Sequence, residues 1–178
     1  MSTLYDQIVS RRGKIEDLMA RIPGFKGYQE KQARRTADRM LRDYLAEQID
    51  RRISRFNRLE NSVLDKVGFG FSNKMRDAKT RLQLYRDKIQ TAAPKYDGMW
   101  AQMKIDASDL DKIYSFDEAQ IRYVDQFDAA LDTVEQAIDA GDKDALTDAI
   151  EQFHSLSSEA IEAFALRDEV LTGLSKTV

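Results

Sequence analysis

The chain has 178 residues, of which 42% are hydrophobic and 33% are charged, and it contains two prolines and no cysteine. This length fits one domain with a sizeable core, and this composition is typical of a folded helical protein rather than a disordered one. The absence of cysteine excludes disulfides, thiolate metal sites and cysteine nucleophiles. Neither a signal-peptide pattern nor a run of roughly 18 apolar residues occurs, so we expect a soluble, cytoplasmic chain with no transmembrane segment.

Charge is divided along the chain. Residues 1–104 carry 23 Lys/Arg against 13 Asp/Glu, a net of +10, whereas residues 105–178 carry 5 against 18, a net of −13. We therefore distinguish a basic helical region, 1–104, from an acidic helical hairpin, 105–178, and expect them to form one continuous bundle domain. Such asymmetry is typical of polyanion binding, of a membrane surface, or of head-to-tail pairing with acidic partners.

The first predicted helix covers about 3–22 and ends where Pro23 and two glycines follow. Apolar residues then recur every three or four positions over about 28–67, which predicts a helix roughly 60 Å long. Gly68-Phe69-Gly70-Phe71 interrupts it. We interpret this segment as a helix break with two packing phenylalanines, and Ser72 as the N-cap of the next helix.

The third predicted helix has a coiled-coil seam with steps of three and four residues, formed by Met75, Ala78, Leu82, Tyr85, Ile89 and Ala92. We expect Pro94 to end it. In the acidic half, Ser115 and Glu118 have the spacing of a capping box, which predicts a helix to about 140. Gly141 and Asp142 then favour a tight turn into an antiparallel last helix.

These elements predict an all-α fold, which we expect to be an elongated antiparallel helical bundle or hairpin with coiled-coil-like packing.

The acidic helix carries a second stripe, beside its apolar one, formed by Asp125, Asp128, Asp132, Glu135 and Asp139. In a bundle these are flanking positions, suited to pairing with arginines of a neighbouring helix. Two interpretations remain open: a solvated acidic face, or ion pairs with the basic half, within one chain or between chains. Calcium binding is not favoured, because the carboxylates are spread along a rod instead of converging from a loop.

The basic run over 26–58 could instead follow phosphates, since such binding needs only clustered positive charge. Five acidic residues interrupt the run and a sixth, Glu60, follows it, as on an ordinary salt-bridged helix surface. The candidate interaction surface therefore combines the basic and acidic residues with the only tryptophan: Arg34, Arg35, Arg39, Arg42, Arg51, Arg52, Arg55, Arg58, Trp100, Asp125, Asp128, Asp132, Glu135 and Asp139.

Three further motifs carry little chemistry. Glu151 and His154 have the Glu-x-x-His spacing of di-iron bundles, but that site needs the motif twice and the chain has one histidine. The glycine pair around Phe69 lacks the strand and the Gly-Lys-Ser/Thr ending of a phosphate-binding loop. Trp100 and its apolar neighbours could anchor in a bilayer interface, dock a partner helix, or cap the end of the core.

The segment Ile22-Pro23-Gly24-Phe25-Lys26-Gly27-Tyr28 resembles a pattern in uncharacterised prokaryotic all-helical proteins, and the stretch 109–117 adds to this resemblance. No activity comes with it. A basic helical front and an acidic helical rear are also similar in outline to the phage-shock and ESCRT-type membrane-remodelling proteins. The breaks at Pro23 and at 68–71 depart from the long uninterrupted hairpin of that family, so its function is not carried over.

With no nucleophile or base nominated, we expect a protein that is not an enzyme and needs no cofactor. The first hypothesis is a helical scaffold or interaction protein that works through protein-protein contacts, including self-assembly with copies of itself. The alternative is a polyanion-surface binder that engages an anionic membrane or nucleic acid through basic residues of 26–58.

Overall fold

The structure, a computed structural model, describes residues 2–92 and 98–175. All regular secondary structure in these two ranges is helical, as the sequence predicts. Its α-helices are α1 Leu4–Ser10, α2 Ile15–Arg21, α3 Arg34–Lys66, α4 Ser72–Thr91, α5 Ala107–Ala140 and α6 Lys143–Ser175. Short 3-10 helices, Lys31–Ala33 and Phe69–Phe71, precede α3 and α4. Pro94, the predicted end of α4, lies outside the described residues.

The predicted first helix over 3–22 is wrong, because the chain breaks between α1 and α2. Arg12 has a φ of +45° and Gly13 packs against α5. The Gly13 N–H donates to Ser115 Oγ at 3.0 Å, and a Cβ at Gly13 would lie 2.3 Å from the Tyr114 carbonyl oxygen. The backbone at residue 13 therefore lies against α5, and only a residue without a side chain fits there.

Two predicted helix starts also differ from the structure. α3 begins at Arg34 instead of near 28, after a loop in which Gly27 has a φ of +77°. The break at 68–71 is confirmed, but Ser72 is the first residue of α4 and not its N-cap. Only one of the two phenylalanines packs: Phe71 is buried, whereas Phe69 is 85% exposed.

The predicted capping box at Ser115 is wrong, since α5 begins eight residues earlier. Asp106 is its N-cap, in a reciprocal capping box with Asp109. Ser115 is buried within the helix, where its hydroxyl donates to the Asp111 carbonyl at 2.7 Å. At the other end of α5, the predicted turn is confirmed: Gly141 is left-handed at φ +64°, and the Asp142 carboxylate accepts from the Ala145 N–H.

Contacts between helices give their directions. Ion pairs join residues 52 with 128, 55 with 132, and 66 with 139, so α3 and α5 run parallel. Contacts of 60 with 79 and 50 with 86 make α4 antiparallel to α3, and contacts of 38 with 167 and 56 with 153 make α6 antiparallel to α3. The short turn at Gly141 and Asp142 joins α5 to α6, and these two helices run antiparallel to each other.

The core lies between these four long helices. One aromatic ring from each helix meets in a central layer: Phe56 contacts Phe153, which contacts Phe127, which contacts Tyr85, at centroid distances of 5.1 to 6.1 Å. All six residues predicted for the α4 seam are buried, so this apolar stripe faces the core.

The two ends of the bundle differ. Lys66 pairs with Asp139, so the α3–α4 turn and the α5–α6 turn lie at the same end, which we call the turn end. At the opposite end, α1 packs on α5 and α6, and α2 packs on α5. The loop around Tyr28 and the segment carrying Trp100 close that end.

Candidate functional site

A cluster of charged and phenolic side chains is buried near the closed end of the bundle, and we call it the buried cluster: Tyr28, Asp38, Arg42, Asp117 and Arg167. Arg167 of α6 is at its centre and is 1% exposed. Its Nε donates to Asp117 Oδ1 at 2.6 Å, and its Nη2 donates to Asp38 Oδ1 at 2.9 Å and to Tyr28 Oη at 3.2 Å. One guanidinium therefore joins α3, α5 and the loop before α3.

The remaining oxygens of the two carboxylates are also occupied. The Tyr28 hydroxyl donates to Asp117 Oδ2 at 2.5 Å, and Arg42 Nε donates to Asp38 Oδ2 at 2.9 Å. Two cations thus face two carboxylates, which balances the buried charge. Burial raises the pKa of Asp117, and the charge of Arg167 opposes that rise. Burial, together with the Asp117 charge, also raises the pKa of the Tyr28 hydroxyl, which remains protonated.

The segment before α3 places Tyr28 in this cluster. Its ring stacks on Trp100 at 5.3 Å, and its N–H donates to the Tyr114 hydroxyl at 3.0 Å. The buried Arg34 side chain links this loop to the segment that carries Trp100, because its Nε donates to the Tyr28 carbonyl and its Nη1 donates to the Met103 carbonyl. Gly27 is required there, since a Cβ would lie 2.4 Å from the Tyr114 hydroxyl.

The side chains of the buried cluster are enclosed by the surrounding protein. Asp117 is 0% exposed and Asp38 is 1% exposed, so neither carboxylate is presented to solvent. A second polar bridge lies deeper along the bundle, where the Tyr85 hydroxyl donates to Gln120 Oε1. The ionic contacts thus join α3, α5 and α6, and the Tyr85–Gln120 bond joins α4 to α5.

The acidic stripe pairs with basic residues of the same chain. Asp128 accepts from Arg52, Asp132 and Glu135 accept from Arg55, and Asp139 accepts from Lys66, at 2.6 to 2.9 Å. Each of these acidic side chains remains about half exposed. The stripe is therefore an intramolecular row of surface ion pairs, and we call it the α3–α5 zipper.

Asp125 extends the row to α2. Arg21 donates to both of its carboxylate oxygens, at 2.8 and 2.7 Å, and its Nε donates to the Tyr44 hydroxyl. These hydrogen bonds from Arg21 lower the pKa of Asp125. All five residues of the acidic stripe thus have a cationic partner within the chain, although the sequence left open whether pairing would occur within or between chains.

The predicted basic residues divide into three groups. Arg34, Arg42 and Arg52 are buried. Arg51 pairs with Glu47 one turn earlier on α3, and Arg55 belongs to the zipper. The exposed remainder is Arg35, Arg39 and Arg58.

Two clefts lie near the start of α3, beside Arg35 and Arg39. One, of about 370 Å³, is lined by Arg35, Thr36 and Arg39, and the other, of about 230 Å³, has Met40 and Lys26 in its walls. Together with Lys31, the exposed residues form a small cationic patch: Lys26, Lys31, Arg35 and Arg39.

Trp100 is 2% exposed, so its side chain lies in the core against Tyr28 and does not face a bilayer or a partner. Of the three roles considered for it, capping the end of the core is the one observed. Within the described ranges, no group of three or more potential metal ligands among His, Asp and Glu converges, and His154 lies partly exposed on α6. None of the described helices has the length and apolar character needed to cross a membrane.

The most exposed large apolar side chain in the described residues is one that the sequence predicts to be packed. Phe69 at the turn end is 85% exposed, and Leu64 on α3 is 41% exposed. A groove of about 240 Å³ lies between α3 and α4, and we call it the turn groove; Leu64 lines it together with the polar Glu60, Arg76 and Lys79. Phe69 lies between two glycines, which offer no neighbouring side chains for its ring to pack against.

A polar cleft of about 250 Å³ lies between α1, α5 and α6, with Arg11, Arg122 and Gln126 in its walls. Tyr123 also lines it and hydrogen-bonds Glu159, and burial raises the pKa of this phenol. The cleft holds both signs of charge.

Comparison with known proteins adds no identity to this geometry: no family model matches the chain, and neither a curated protein nor a solved structure matches it.

Proposed function

We propose that the chain is a non-enzymatic helical scaffold that works through protein-protein contacts, as an elongated bundle with coiled-coil-like packing. Four long helices, joined by the aromatic layer and the buried cluster, form a rigid body on which contacts can be presented. The α3–α5 zipper satisfies the charge asymmetry inside one chain, so intermolecular pairing of the two stripes is not needed.

The observation that carries this proposal is the exposure of Phe69. A phenylalanine that is 85% in water forgoes most of the roughly 1.5–3 kcal/mol that its burial would contribute. Leu64, near the end of α3, is also partly exposed, at 41%. These two apolar side chains at the turn end are where we place the contact surface of the scaffold.

The test replaces single exposed residues by a photo-crosslinking amino acid in cells that produce the protein. Phe69 samples the turn end, Arg39 samples the cationic patch, and Gln152, an exposed polar residue of α6, is the matched control. We expect discrete protein adducts at position 69 and only background at position 152. Equal labelling at all three positions, or nucleic acid adducts at position 39 alone, would contradict the scaffold proposal.

The second candidate is the polyanion binder, narrowed to the cationic patch of Lys26, Lys31, Arg35 and Arg39. The clefts beside these residues support it, because cationic side chains line recesses at the protein surface. Zipper residues Arg52 and Arg55 would contribute little, since their charges are already matched.

Binding to a DNA duplex and to anionic vesicles, measured against salt, tests this alternative. If it holds, Lys31→Gln with Arg39→Gln lowers the log–log salt slope by up to about two units. The pair Arg51→Gln and Arg58→Gln, outside the patch, is the control and leaves the slope unchanged. If the unmodified chain binds neither DNA nor anionic vesicles at about 0.05 M salt, the polyanion-binding hypothesis is wrong.

A further inference from the structure

The polar cleft between α1, α5 and α6 has charged groups of both signs in its walls, and we call it the α1 cleft. Gln7 and Arg11 line it from α1 and its C-terminal end, Arg122 and Gln126 line it from α5, and Glu159 lines it from α6. Two guanidinium groups and one carboxylate, from three separate helices, therefore face one recess at the surface of the bundle.

Two of these charged groups are held by neighbouring side chains. Arg122 Nη1 donates to Glu118 Oε2 at 2.6 Å, one turn earlier on α5. The buried Tyr123 hydroxyl donates to Glu159, and burial raises the pKa of this phenol, so it remains protonated. Groups that are already ordered lose less conformational freedom when a ligand binds. Arg122 and Glu159 are therefore prepared for a polar ligand.

The opposite charges in the α1 cleft do not neutralise one another. Across the described part of the chain, no ion pair joins Glu159 to Arg11 or to Arg122. Glu118 balances the charge of Arg122, whose guanidinium keeps further N–H donors. Arg11 therefore supplies the net positive charge on the α1 side. On the α6 side, Glu162 adds its negative charge to that of Glu159.

We propose that the α1 cleft binds an amino acid, with the ligand carboxylate held by Arg11 and Arg122 and the ligand ammonium group held by Glu159. Guanidinium groups bind carboxylates through short, charge-assisted hydrogen bonds, and carboxylates accept from ammonium groups in the same way. A purely anionic ligand would be repelled by Glu159, and a purely cationic one by Arg11. This site is separate from the turn end, so the proposal goes beyond the scaffold function and does not depend on it.

The size of the α1 cleft suits a small amino acid. Its volume is about 250 Å³, and an apolar cavity of about 150 Å³ is known to accept benzene. A zwitterion with a chain of six carbons is therefore of suitable size. The partly exposed Leu4 also lines the cleft and offers an apolar contact for such a chain.

Titration of the isotope-labelled full chain with four six-carbon probes, followed by NMR amide shifts, tests the proposal. L-norleucine and ε-aminocaproate carry both charges at different separations, whereas caproate carries only the carboxylate and hexylamine only the ammonium group. We expect one of the two zwitterions to shift amides of α1 and of 122–126 with a Kd of about 1 mM. Each single-charge probe should bind at least about tenfold more weakly.

Two results of this titration overturn the proposal. One is the absence of shifts at the cleft for both zwitterions at concentrations up to about 20 mM, well above the expected Kd. The other is binding of caproate or hexylamine as tight as that of the better zwitterion, since the cleft would then recognise a single charge.

Variants assign the two charges. Arg11→Gln and Glu159→Gln should each weaken binding of the better zwitterion about tenfold. Arg12→Gln and Glu151→Gln change exposed residues outside the cleft walls and are the matched controls, with a Kd within about twofold of wild type. Circular dichroism checks that all four variants fold. Unchanged affinity in Glu159→Gln, or equal losses in the control variants, overturns the proposal.

Hydrogen exchange tests the position of the site. Within α1, Leu4–Ser10, Ile8 is the one buried residue, so we expect α1 to open more readily than the four long helices. Opening of α1 removes one wall of the cleft, so a ligand at ten times its Kd should slow exchange of the α1 amides about tenfold and leave the turn end unchanged. Unaltered α1 exchange overturns this placement, whereas the scaffold proposal, which rests on Phe69, would remain.

Discussion

The same pair of residue types, arginine and aspartate, is used in two regions of this molecule with different consequences. In the buried cluster, Arg167 and Asp117 are 1% and 0% exposed and are joined at 2.6 Å. In the α3–α5 zipper, Arg55 and Asp132 are also joined at 2.6 Å, but they are 23% and 60% exposed. The two ion pairs have the same length but differ in solvent exposure, so their contributions to stability differ.

Solvent accounts for the difference. A surface pair exchanges water for a partner in a high dielectric and is typically worth 0–1 kcal/mol. A buried pair has already lost its water, so removal of one partner leaves an uncompensated charge in the interior. Removal of one partner from the buried cluster should therefore destabilise the fold far more than removal of one partner from the zipper.

The largest expected effect comes from Arg167→Met, which keeps the volume of the side chain but leaves Asp38 and Asp117 without their shared cation. We expect a loss of about 3–5 kcal/mol in the free energy of unfolding, measured by urea denaturation. Adding Asp117→Asn to this variant should cost less than the sum of the two single changes, because the charges are coupled. A loss below about 1 kcal/mol for Arg167→Met would show that the cluster is no more than another surface pair.

Much of the fold can be predicted from the spacing of apolar residues. The predicted and observed helices differ where contacts between helices decide the conformation. The seam of α4 and the turn at Gly141 were predicted because both signals are local. The break at Gly13 was missed, since it depends on the close approach of α5. The capping box at Ser115 had the correct spacing, but Asp106 starts the helix first.

The buried cluster could have been predicted from the sequence by looking for polar residues at core positions of the helical spacing. Asp117 and Gln120 occupy core positions in the three-and-four spacing of α5, and Arg167 does so in α6 between Phe164 and Leu171. Polar residues at core positions predict buried networks. Their partners could not be identified, because the parallel arrangement of α3 and α5 is not encoded in either helix alone.

Gly13→Ala tests how tightly the closed end is packed. A Cβ would lie 2.3 Å from the Tyr114 carbonyl oxygen, which is less than one helical turn from Asp117, so backbone must move. We expect a loss of about 1–3 kcal/mol in the free energy of unfolding. Gly70→Ala at the turn end is the matched control, since nothing lies within 4 Å of its Cβ. Equal losses at both positions would remove the contrast between the two ends.

Alkaline pH should weaken the interior before it affects the zipper. Burial raises the pKa of Tyr28 and Tyr85 above the ordinary value of 10.0. Above about pH 10 the unfolded chain releases these protons while the folded chain retains them, so stability is lost as pH rises. Each phenol should lower the free energy of unfolding by about 1.4 kcal/mol per pH unit.

Urea midpoints between pH 9 and 11.5 would measure this slope. Tyr28→Phe should reduce the slope by one proton, even though it also lowers stability at neutral pH. An identical slope in this variant would show that Tyr28 ionises in the folded protein.

The smallest expected effect is in the zipper. A double-mutant cycle of Arg55→Gln with Glu135→Gln should give a coupling of about 0.2–1 kcal/mol that weakens with added salt. Arg58→Gln, an exposed change one turn away on α3, should stay within about 0.5 kcal/mol of wild type. A coupling above about 2 kcal/mol, unaffected by salt, would place the zipper with the buried cluster.

The central claim is that the charge asymmetry of this chain is satisfied within one molecule and that contacts between molecules are apolar. Light scattering at about 0.05 M and about 0.5 M salt, at a fixed high protein concentration, tests it most directly, since salt screens exposed ion pairs within a Debye length. We expect the average mass not to fall as salt is added, because the zipper ion pairs lie within one chain. A mass that falls toward 20.5 kDa as salt is added would show that the stripes pair between chains and would contradict the account.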